Sequence, residues 1–108
     1  MTYYEQLLKC LHEIKGEAAE SNLYGCGKTF FWKNEEVWIT ALQYPSIQVS
    51  VTVKSEAVWT KYMEDDKGVF FFDEDMDMYT YSIKSQSDLD RAMEGIRSLN
   101  AVRLSVGV

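Results

Sequence analysis

Ile47-Gln48-Val49-Ser50-Val51-Thr52-Val53-Lys54 alternates β-branched apolar residues with polar ones over eight consecutive positions. Neighbouring side chains of an extended chain point to opposite sides. The segment therefore reads as a strand with one dry face and one wet face, the signature of an antiparallel sheet covered on one side. The rest of the fold can be read outward from it.

Upstream, Tyr44-Pro45-Ser46 is a turn. Glu36–Leu42 and Thr29–Lys33 are rich in β-branched and aromatic residues and form a hairpin about Asn34-Glu35. Gly25 and Gly27 mark a loop before it. At the N-terminus, Thr2 and Glu5 have capping-box spacing, which predicts a helix starting near Tyr3. Tyr4, Leu7, Leu8, Leu11, Ile14 and Ala18 recur at helical intervals, carrying the expected helix to about Ser21-Asn22.

Downstream, Ser55–Met63 reads as a short helix through Val58, Trp59, Tyr62 and Met63, with continued strand as the alternative. Lys67-Gly68 is a turn, Val69–Phe72 a strand, and Met78–Ile83 its partner across an acidic turn. Ser87 and Asp90 have capping-box spacing ahead of a second stripe, Leu89, Ala92, Met93, Ile96 and Leu99, with Asn100 at the expected helix end. Val102, Leu104, Val106 and Val108 alternate and suggest a short C-terminal strand. The sum is one α+β domain over residues 1–108: an antiparallel β-meander of about five strands packed against an N-terminal and a C-terminal helix as a two-layer sandwich.

Phe30-Phe31-Trp32 and Phe70-Phe71-Phe72 place aromatics on both faces of their strands. Either the sheet curls around a core, or apolar surface is left for a partner or a second copy. Phe31, Trp38, Trp59 and Phe71 are the candidate contact residues for the second case.

The 108 residues contain 46% hydrophobic and 26% charged residues, ordinary values for a folded chain. No run is long and apolar enough for a bilayer, and Met1–Glu5 has no signal-peptide character, so a cytoplasmic location is expected. Cys10 and Cys26 are expected to be reduced thiols. Seventeen acids against eleven bases give a net charge of −6, which opposes direct binding to nucleic acid or an anionic membrane. The excess is concentrated. Residues Glu64 to Asp77 hold Glu64, Asp65, Asp66, Asp73, Glu74, Asp75 and Asp77 against Lys67 alone, and the remaining acids and bases balance at ten each.

Motifs for chemistry are incomplete. Asn22–Thr29 differs by one residue from a phosphate-binding loop, but a helix precedes it and a strand follows, the reverse of what phosphate binding requires. Asp73, Asp75 and Asp77 match the first ligands of an EF-hand, yet its sixth and twelfth positions hold Met78 and Lys84. Two cysteines and His12 do not complete a zinc site, and His12 diverges from Cys10 around a helix. Glu74, near Phe70, Phe72, Met76 and Met78, is the best carboxylate for acid–base work. No cofactor or metal is implied.

The expected function is that of a small, acidic, non-catalytic interaction protein. Its acidic turns would bind, and inhibit or sequester, a basic nucleic-acid-handling protein by presenting carboxylates where phosphates otherwise sit. The alternatives are a chaperone-like or homodimeric subunit using the aromatic sheet face, and a small-molecule-binding or enzymatic sandwich using its carboxylates.

Overall fold

The computed structural model describes residues 1–65, 71–73 and 78–106. Helix α1 spans Tyr3–Ile14. Strands β1 (Ala19–Asn22), β2 (Gly27–Trp32), β3 (Val37–Leu42) and β4 (Gln48–Val53) follow, then helix α2 (Glu56–Asp65). Strands β5 (Phe71–Asp73) and β6 (Met78–Ser82) and helix α3 (Gln86–Val106) complete the chain. The fold is α+β, with an antiparallel sheet and helices at both ends of the chain packed against it, as the sequence patterns predict.

Among the described residues the sheet has six strands in the order β1-β2-β3-β4-β6-β5. The first four form a meander. Helix α2 then carries the chain past the position beside β4 to the outer edge, and β6 returns between β4 and β5, antiparallel to both. Helix α3 packs between α1 and α2, α1 touches β3, and α2 touches β4.

Ladder partners share a face, so the register sorts the side chains. Phe30, Ile39 and Val51 stand in one row towards the helices, with Trp32, Val37 and Val53 on one side of it and Lys28, Ala41, Val49 and Tyr81 on the other. Phe30, Val49 and Val51 are fully buried there with Leu7, Leu11, Leu89, Ile96 and Leu99. The alternation in β4 is thus a core-facing apolar edge, as its pattern predicts.

Several boundaries differ from expectation. Thr2 and Glu5 do form the capping box, with Thr2 Oγ1 3.1 Å from the Glu5 amide and Glu5 Oε1 3.2 Å from the Thr2 amide. But α1 stops at Ile14 instead of running to Ser21-Asn22, because Gly16 turns the chain at a φ of +52°. Ala18 is buried after that turn, which is why it imitates a helical position. Ala19–Asn22 is the sixth strand, which the helical reading concealed.

Ser55–Met63 does contain a helix. At α3 the cap is Ser85, whose Oγ accepts the Asp88 amide at 3.1 Å, two residues before the expected Ser87. The C-terminal strand does not form across Val102–Val106. Helix α3 runs through Asn100, since Val102 and Val106 lie three and seven residues beyond Leu99 and prolong its buried stripe. Val108 lies outside the described residues, as do Lys67-Gly68 and residues 69 and 70 of the expected strand.

Candidate functional site

The acidic segment brackets β5, the outermost strand of the sheet. Glu64 is exposed in the last turn of α2, and Asp65 ends that helix. Asp73 ends β5 at the other side. Asp66, Glu74, Asp75 and Asp77 lie outside the described residues, as does the acid–base reading of Glu74. The last turn of α2 contains no basic residue. A helix C-terminus already carries partial negative charge, and acids there are unfavourable for the helix itself.

The acids elsewhere include two neutralised by the chain's own cations. Glu20, on β1, receives Lys28 Nζ at 2.7 Å and Lys15 Nζ at 2.9 Å, with His12 Nε2 3.3 Å away. The hydrogen bonds from Lys28 and Lys15 hold its carboxyl at about 2, against partial burial. The hydrogen bond to Glu20, helped by its charge, in turn raises the pKa of the Lys28 ammonium. Glu35, in the β2–β3 turn, lies 3.1 Å from the Arg103 guanidinium. Arg103 is buried, also donates to Asn100 Oδ1 at 2.6 Å, and stacks 5.0 Å from the Trp32 ring. Sequence reading missed both clusters, because their members come from separate elements.

The face of the sheet away from the helices holds a second feature. Phe31 and Trp38 are cross-strand partners whose rings stack 4.3 Å apart at 17°, and the Lys54 ammonium lies 5.9 Å from the Trp38 ring. Beside them the register aligns Ser21, Thr29, Thr40, Ser50 and Thr80 in a single row across five strands. Thr29 and Thr40 hydroxyls are 3.0 Å apart, and those of Ser50 and Thr80 are 3.4 Å apart. Ser50 is buried in that row despite its place on the polar side of β4. The four aromatics proposed from sequence therefore divide. Phe31 and Trp38 pair on this face, Trp59 of α2 packs against the core in the helical layer, and of Phe71 the register gives only its pairing with Thr80.

The remaining motifs stay dispersed. The glycine-rich segment is the β1–β2 turn, with Tyr24 and Gly25 at positive φ, and its Lys28 is engaged by Glu20. Gly27 is fixed by packing, because a Cβ there would collide with the Ala41 carbonyl. Both cysteines are free: Cys10 is buried, and burial raises its thiol pKa, whereas Cys26 is exposed. His12 meets Glu20 and sets its ring edge-on to Phe30, 5.2 Å away. Among the described residues no three His, Cys, Asp or Glu converge on a metal position, and no helix is long and apolar enough to cross a membrane. Clefts among the described residues include one of about 350 Å³ between α1 and α3 over Cys10, and one of about 510 Å³ beside Trp32 and Arg103.

No protein-family model, curated protein or solved structure matches this chain.

Proposed function

We propose that this chain is a non-catalytic interaction protein that binds a basic, nucleic-acid-handling protein through the acidic segment around β5. One observation carries the reading: Glu64 and Asp65 occupy the C-terminal turn of α2, which itself contains no basic residue and where the helix dipole opposes them. A sequence selected for stability alone would place lysine or arginine there. Acids kept at a destabilising position are consistent with a surface retained for recognition.

The charge balance supports the same reading. Outside residues 64–77 acids and bases are equal in number, and Glu20 and Glu35 are held by internal cations. The net negative charge then belongs to the stretch of sequence that contains the edge strand β5, and a field from that stretch would steer a basic partner. A short edge strand flanked by acids is also protected from pairing with other strands, a role the same residues can serve together with binding.

The test is affinity capture from the native host at two salt concentrations, using wild type and the triple variant Asp73→Lys, Asp75→Lys, Asp77→Lys. The expected result is a basic protein retained at low salt, released at moderate salt, and lost with the variant. Capture that survives both salt and charge reversal would overturn the proposal.

A further inference from the structure

The cleft of about 510 Å³ beside Trp32 and Arg103 is lined by charged groups that the described residues leave without partners. We propose that it binds a free α-amino acid with an apolar side chain, taking the carboxylate at Arg103 and Lys33 and the ammonium at Glu17. The cleft lies at the β2–β3 turn, with β4 and β6 between that hairpin and β5. The proposal therefore does not depend on the acidic segment being a recognition surface.

Arg103 supplies the first contact. A guanidinium carries five N–H donors in a fixed plane. One terminal nitrogen of Arg103 donates to Glu35 Oε1 at 3.1 Å, the other donates to Asn100 Oδ1 at 2.6 Å, and Trp32 covers one face of the group. Among the described residues nothing accepts from Nε, and no sealed side-chain nitrogen lacks a partner, so Nε is open where Arg103 lines the cleft. A side chain only 8% exposed thus keeps an unused charged donor at a cavity wall. Such a donor gives a carboxylate a charge-assisted hydrogen bond in a place where water competes little.

The other charges select the occupant. Glu35 and Arg103 neutralise each other. That leaves Lys33 and Glu17, both exposed on the lining, and among the described residues neither has an ion pair or a side-chain hydrogen bond. A purely anionic ligand would approach a chain of −6 against its field. A purely cationic one would leave Arg103 and Lys33 unused. A zwitterion meets both signs and carries no net charge. Leu104, apolar yet 54% exposed, adjoins Arg103 on the lining and offers surface to an apolar side chain. The volume, about 510 Å³, falls within the ~300–1,000 Å³ of small-molecule sites and is ample for one amino acid.

Titration of the isotopically labelled full chain with L-phenylalanine, hydrocinnamate and phenethylamine, followed by amide and indole proton resonances, tests the proposal. The three probes share a phenyl ring on a two-carbon stem and differ in which charged groups they carry. The expected result is saturable shifts at the Trp32 indole N–H and the Lys33, Asn34 and Glu35 amides with L-phenylalanine, with dissociation at about 1 mM or tighter. Each singly charged probe should bind about tenfold more weakly. Glu17→Gln should reduce the preference for L-phenylalanine over hydrocinnamate, and Lys33→Met the preference over phenethylamine. Both positions are exposed, so the fold should be kept, which the rest of each spectrum reports. Absence of shifts at these groups with about 10 mM L-phenylalanine overturns the inference. So do equal responses to the three probes, or a preference unchanged in either variant. Partner capture through the acidic segment does not enter these readouts, so the two proposals fail separately.

Discussion

Arg103 and Glu35 are 68 positions apart in the chain and meet at 3.1 Å, joining the last turns of α3 to the β2–β3 hairpin. Both side chains are largely shielded from water, and the guanidinium also covers one face of Trp32. Arg103→Ala should therefore cost about 2–4 kcal/mol in denaturant unfolding, because it removes a stacked cation and leaves Glu35 shielded without its partner. Arg103→Lys should recover only part of this, since an ammonium cannot serve Glu35 and Asn100 from one plane.

Glu20 gives a pH prediction. Its folded-state pKa is held at about 2, below the ordinary 4.5, by Lys28 and Lys15. A depressed carboxylate contributes stability that is fully present above its unfolded value and lost as pH falls through the folded one. The melting temperature should decline between about pH 4.5 and about pH 2. In Glu20→Gln that part of the decline should be absent, and the variant should be less stable than wild type at neutral pH.

The cap of α3 separates two serines. Ser85→Ala removes the acceptor of the Asp88 amide and should cost about 1 kcal/mol. Ser87→Ala, one residue inside the helix and exposed, should change stability by less than about 0.5 kcal/mol. Equal losses at the two positions would contradict the cap assignment.

Glu64→Lys and Asp65→Lys should each raise stability by roughly 0.3–1 kcal/mol, because the helix dipole favours cations at that end. Under the proposed function the same changes should weaken capture of the basic partner. Stability gained with binding retained would separate these acids from recognition.

Local signals in this chain were legible and non-local ones were not. The Thr2–Glu5 capping box, the hairpin about Asn34-Glu35 and the alternation from Ile47 to Val53 each depend on residues a few positions apart, and each appears as read. Strand β1 was hidden because Ala19-Glu20-Ser21-Asn22 is a polar edge with no period, lying after a buried Ala18 in apparent helical phase. The C-terminal residues misled for a geometric reason: valines spaced by four satisfy both a helix and an alternating strand, and only contact with the core decides. The position of β6 between β4 and β5 depends on pairing across α2, which leaves no trace in composition. At the sites, the charge excess was readable by counting. The Ser21–Thr29–Thr40–Ser50–Thr80 row was not, since it exists only once the register is known.

The contrast between Cys10 and Cys26 has a practical consequence. With the thiol of Cys10 buried on α1 and that of Cys26 open in the β1–β2 turn, a maleimide dye should attach to the native protein at Cys26 alone. The untouched natural sequence thus offers a single attachment point away from β5, suited to fluorescence anisotropy of complexes. As the fold opens, dye stoichiometry should rise from one per chain to two, making the count of modified thiols a direct gauge of unfolded population.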